Sequence, residues 1–127
     1  MSDHVRLTCP ARDEFARMVR MTAAALAGRM GMSIDEVDDV RMAVEEAFLL
    51  AKARVGADEL VTFDFDVDDH SLALVVGPLP DDAAAGADSA EARYARFILE
   101  SVCDEFSVDA DPDDATCTLR LTKKAAR

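Results

Sequence analysis

The chain has 127 residues, with 26 Asp plus Glu against 14 Lys plus Arg and a formal net charge of -12. That length suits one domain over residues 1–127 with a proper core, and an acidic surface of this strength would repel a phosphate backbone, which excludes direct nucleic-acid binding. Cys9, Cys103 and Cys117 are widely spaced and form no CxxC pair, so neither a disulfide framework nor a zinc site is indicated. With no basic-then-apolar leader and no apolar run near the roughly 18 residues of a membrane span, a reducing, cytoplasmic setting is expected.

His4 to Cys9 alternates polar with apolar and stops at Pro10, which predicts a short strand at a sheet edge, free to pair with a second copy. Asp13 to Met30 carries Phe15, Met18, Val19, Thr22, Leu26 and Met30 at helical spacing, with Gly31 as the stop. Arg17 and Arg20 stand one turn apart on this helix and should share a face.

Ser33 to Val55 is the longest helical pattern. Ser33 followed by Glu36 is a capping box, and Val37, Val40, Val44, Ala47, Phe48 and Ala51 form one apolar stripe. The opposite face should be polar, yet it holds Met42, Leu49 and Leu50 around Glu46, beside Asp39. A lone carboxylate among those side chains would be costly to bury as a charge. The competing explanation is an exposed surface glutamate on a helix whose leucines meet a partner or a loop.

Leu60 to Val67 alternates strictly and Leu72 to Val76 is a continuous apolar run, so the two predict a hairpin across Asp68 to His70. Gly77 to Ala90, rich in Gly, Pro, Ala and Asp, reads as one long mobile loop. Tyr94, Ala95, Ile98, Leu99 and Val102 mark a third helix, Phe106 to Asp109 and Ala115 to Thr122 two further strands, and Lys123 to Arg127 a frayed basic tail. This mixture predicts an α+β two-layer sandwich, a mostly antiparallel sheet with helices on one face.

Asp64, Asp66 and Asp68 are spaced like the start of a calcium loop, but Asp69 stands where the glycine and Val75 where the bidentate glutamate belong. The series from Asp109 fails likewise, with Arg120 at the glutamate position. His4 and His70 lack a neighbouring nucleophile signature and receive no catalytic role.

The stretch AGRMGMSIDEVDDVRMAVEEAF resembles the anti-sigma factor serine kinases of the GHKL ATPase superfamily, which carry a Met-Gly type turn, a D-E-[IV]-x-D-[IV]-[KR] run and then A-V-S-E-A-x-x-N-A. FILESVCDEFSVD is similar to the family's helix-then-strand run near the end. The resemblance implies a GHKL-like fold across nearly the whole chain. It implies that Glu46 stands at the general base, and that Leu50 stands where the family asparagine holds magnesium. The first glycine box, D-x-G-x-G, is replaced by VVGPLPDD, and the second, G-L-G-L, falls near Ala92 to Phe97, without glycine.

Leucine cannot ligate a hard cation, and phosphoryl transfer relies on the metal and positioned phosphates more than on the base. The expectation is therefore a regulator without kinase activity, metal or cofactor, in which Glu46 is vestigial. By resemblance its partner is a sigma factor and/or an anti-anti-sigma antagonist, contacted through Arg17 and Arg20, with homodimer formation through the first strand and helix. Two alternatives stay open. One is an active ATP- and magnesium-dependent kinase, with Asp81 or Asp82 as the adenine aspartate; the other is a structural or dimerisation module for an unrelated partner.

Overall fold

The computed structural model describes residues 2–81 and 89–126. The elements are β1 (Asp3–Pro10), α1 (Asp13–Arg29), α2 (Ile34–Lys52), β2 (Leu60–Val67), β3 (Ser71–Pro80), α3 (Ala90–Val102), β4 (Glu105–Asp111) and β5 (Thr116–Lys124). The strands form one antiparallel sheet in the order β1-β2-β3-β5-β4, with β1 at one edge and β4 at the other. Chain order is broken once, where the last strand inserts between β3 and β4.

Alternation in the sequence dictates which face is covered. Val61, Phe63, Phe65 and Val67 of β2, Leu72, Leu74 and Val76 of β3, and Cys117, Leu119 and Leu121 of β5 are buried under the helices. Phe63 stacks on Phe48 of α2 at 5.7 Å between ring centroids, so the central helix is pinned to the sheet by an aromatic pair. The outward residues carry polar pairs instead: Thr8 with Thr62, and Arg6 and His4 with Asp64. The result is a two-layer α+β sandwich with helices on one sheet face.

α2 starts as its sequence predicts. The Glu36 N–H donates to Ser33 Oγ at 3.1 Å, and the Ser33 N–H donates to Glu36 Oε1 at 2.8 Å. Two backbone amides freed by the helix start are thereby satisfied, and the Ser33 amide bond holds the Glu36 carboxyl below its ordinary range. Gly31, at φ 84, supplies the left-handed turn that ends α1.

Four expectations need correction. β3 does not stop at Val76 but runs to Pro80, with Leu79 buried and paired to Cys117. Gly77 makes this possible, because at φ 136 it carries a register shift where a Cβ would lie 3.1 Å from the Cys117 carbonyl oxygen. Of the long loop expected over Gly77 to Ala90, residues 82–88 lie outside the described residues. Residues 123–126 of the expected basic tail are not frayed: Lys123 and Lys124 belong to β5, Lys123 Nζ binds Asp39 Oδ2 at 3.1 Å and the Val102 carbonyl at 3.0 Å, and the Ala126 N–H donates to Glu36 Oε2 at 2.7 Å; Arg127 lies outside the described residues. Tyr94 is exposed, the inner face of α3 being made by Ala92, Ala95 and Leu99. Finally, α2 ends at Lys52, three residues short of Val55.

Candidate functional site

The second apolar face of α2 has a physical cause in the helix layer. α2 packs against α1 on one side and α3 on the other, so its buried set extends beyond the sheet-facing stripe to Ala43 and Leu50. Small residues allow the close approach: Ala23 and Ala27 on α1, Ala43 and Ala47 on α2, Ala92 and Ala95 on α3 are all buried. Leu50 is 6% exposed, whereas Leu49 is half-buried and Met42 lies outside. Of the three apolar residues expected around Glu46, one is core.

Glu46 is half-buried one turn before Leu50. Loss of hydration pushes its carboxyl above the ordinary carboxylate range, and the neighbouring Glu45 adds to the rise by like-charge repulsion. The carboxylate is thus tuned in the direction a proton acceptor needs. What surrounds it does not fit ATP and magnesium: the side chain where the resemblance places the metal ligand is a hydrocarbon packed out of water.

The segments aligned with the glycine boxes have also been put to other uses. VVGPLP is strand β3, with Val76 and Leu79 in the core. The Asp81 N–H donates to the Ala115 carbonyl at 2.9 Å, and Asp81 Oδ1 lies 3.4 Å from Arg54 Nη1, which also reaches the Pro80 carbonyl. Asp81, the first stand-in for an adenine-binding aspartate, is therefore engaged by an arginine that is itself largely buried; Asp82 lies outside the described residues. At the start of α3, Ser89 Oγ accepts the Ala92 N–H at 3.0 Å, so the helix caps itself with its own side chain. Ala92 and Ala95 of the second box face the core, where the family needs open backbone for phosphate.

The arginine pair of α1 is divided. Arg20 Nη1 lies 3.3 Å from Glu45 Oε2 on α2, bridging the two helices and half-buried, while Arg17 is exposed and pairs with no carboxylate among the described residues. Both stand one turn apart on the continuous helix α1, and they differ in engagement and burial. Glu45 occupies the serine position of the family motif, and its Arg20 bridge is a contact between elements that helical spacing alone does not reveal.

The aspartate series have structural partners. Arg6 Nε donates to Asp64 Oδ1 at 2.7 Å, and that bond holds the Asp64 carboxyl below its ordinary range; Asp66 accepts from His4 at 2.9 Å. Asp68 accepts the backbone amides of His70 and Ser71, both at 2.8 Å, closing the β2–β3 turn. Asp109 pairs with Arg120 at 2.8 Å. Cys9, Cys103 and Cys117 are free thiols, and burial pushes the Cys103 thiol up to about 12, so it stays protonated. Among the described residues no helix is long and apolar enough to cross a membrane.

No family model matches the chain. Curated relatives do. It is 27% identical to the serine-protein kinase RsbW of Bacillus subtilis, covering 96% of this chain and 86% of that protein. The RsbW of Halalkalibacterium halodurans is 26% identical over 94% of this chain and 82% of the relative. The RsbW of Bacillus cereus reaches 33% identity, over 60% of this chain and 59% of its own length.

Proposed function

We propose that the chain, similar along nearly its whole length to serine-protein kinases RsbW, is a member of the anti-sigma factor serine kinase family, within the GHKL superfamily, and an anti-sigma-type regulator acting by binding a protein and not by transferring phosphate. Its partners would be a sigma factor and/or an anti-anti-sigma antagonist in the cytoplasm, in a transcriptional stress response. Residues 1–127 would act as one domain, a pseudokinase with Glu46 as a vestige of the general base. The observation that carries this is Leu50, buried at the position of the metal ligand. A metal site can lose affinity through a polar substitution and keep its shape; a buried leucine instead commits the space to packing.

Arg17 is the stronger of the two partner contacts, since Arg20 already has Glu45. The outer face of α1 also exposes Met18 and Met21, the mixture of apolar surface and unpaired cation from which protein interfaces are built. The β1 edge, carrying His4, Arg6 and Thr8 outward, is the surface through which a second copy would pair. Alanine at both arginines should weaken pull-down of the cognate partner at least tenfold, and unchanged affinity would sink the assignment. The rival is an active kinase, favoured by the raised proton affinity of Glu46 and by the activity named for the relatives. Calorimetry with ATP and magnesium decides: saturable binding below about a millimolar dissociation constant supports the kinase, and no heat supports the regulator.

A further inference from the structure

Among the described residues no element covers the outer face of α3, and the charge pattern of that face is complementary to itself. Tyr94 and Phe97 are 62% and 63% exposed, one turn apart on the helix with the highest contrast between its two faces. Arg93 precedes Phe97 by four residues, Glu100 follows it by three and Ser101 by four, so all five side chains share one stripe. Neither Arg93 nor Glu100 has an ion-pair partner among the described residues. At about 100° per residue, Arg93 and Glu100 flank Phe97 on one side of the stripe, while Tyr94 and Ser101 flank it on the other.

We propose that this face binds the same face of a second copy, as an antiparallel α3–α3 contact with Phe97 at the two-fold axis. A two-fold axis across antiparallel helices keeps each flank on its own side. Arg93 then meets Glu100 of the second copy, twice, and Tyr94 meets Ser101, twice, while the two Phe97 rings pack at the centre. A parallel contact exchanges the flanks and sets Arg93 against Tyr94 of the second copy instead, leaving both ion pairs unmade. Charge complementarity is what selects the second copy over an acidic segment of another protein: the face holds both partners of its own ion pair. α3 lies at the β4 end of the layer, away from the β1 edge, so the contact is independent of pairing through β1.

One helix face buries less than the roughly 1,600 Å² of a standard interface, so the association is weak, in the range of about ten micromolar to a millimolar. Sedimentation equilibrium on the full chain should show a concentration-dependent association step. If the β1 edge already supplies a dimer, each dimer carries two such faces and the same step reads as growth from dimers to tetramers and larger species. Arg93→Glu and Glu100→Arg should each weaken the step at least tenfold, because each sets like charges opposite one another twice. An equimolar mixture of the two variants should recover it to within about threefold of wild type, since every pair is then opposite in sign. Phe97→Ala should also weaken it about tenfold, with circular dichroism unchanged. The contact is overturned if wild type shows no association up to about a millimolar, if either charge reversal sediments as wild type does, or if the mixture associates no more strongly than the separate variants.

Discussion

Leu50→Asn separates a filled pocket from a dormant metal site. Leu50 is 6% exposed, so the substitution forfeits nearly the whole transfer free energy of a leucine side chain, about 1.5–3 kcal/mol. Asparagine is close in size, so the added cavity cost is small, but its amide enters the hydrophobic core and costs about 1–3 kcal/mol if unpaired. The expected loss is roughly 2.5–6 kcal/mol, a large part of the roughly 5–15 kcal/mol that a domain of ordinary stability has. Urea denaturation followed by circular dichroism measures it, with Leu50→Ala as the apolar comparison at about 2–5 kcal/mol. The variant should gain no heat with ATP and magnesium, because Asp81 remains held by Arg54 and α3 still lacks glycine. A variant as stable as wild type to within about 0.5 kcal/mol would refute the packing argument. So would one that gains saturable nucleotide binding, since the metal position would then be open space awaiting a ligand.

Three further outcomes follow from single contacts. Ser33→Ala removes one half of the capping box and should cost about 1 kcal/mol, read from the denaturation midpoint; no change would mean that packing alone sets the start of α2. Gly77→Ala forces a side chain toward the Cys117 carbonyl at a left-handed φ and should destabilise by about 1–3 kcal/mol, whereas a neutral result would show that the bulge relaxes. Glu46 should titrate above the ordinary glutamate midpoint of about 4.3 in a carboxyl NMR titration. Since its folded-state value is raised, the protonated form is favoured on folding, and stability should fall as pH rises from the ordinary midpoint through the raised one. Glu46→Gln should flatten that fall; an unchanged pH profile would place the carboxyl in open solvent.

Local signals were legible wherever the responsible residues are neighbours in sequence. Ser33 and Glu36 are three apart, and LVTFDFDV writes its own in-out pattern, so the α2 start and the β2 faces follow from the letters. Gly77 and Pro78 misled for the opposite reason. The pair ordinarily ends a strand, and only the partner strand β5, some forty residues on, shows that β3 bulges and continues. The tail looked frayed because its anchors, Asp39, Val102 and Glu36, are distant in sequence. At the site, the change from ligand to leucine was legible in one residue. The Arg20–Glu45 bridge and the hold of Arg54 on Asp81 depend on how elements are juxtaposed, which periodicity does not encode.

The sheet order β1-β2-β3-β5-β4 also bears on how the chain acquires its shape during synthesis. A ribosome delivers β1, the first two helices and the β2–β3 hairpin early, and these can settle as a three-stranded unit under α1 and α2. β4 emerges next with nowhere to bind, because its one neighbour in the sheet is β5, which has yet to be made. Until that last strand slides between β3 and β4, two strand edges and the underside of α3 stay open to water and to other nascent chains. Truncation that removes β5, Thr116–Lys124, would therefore cost two strands together, and the window of vulnerability to premature association closes only once β5 has been made.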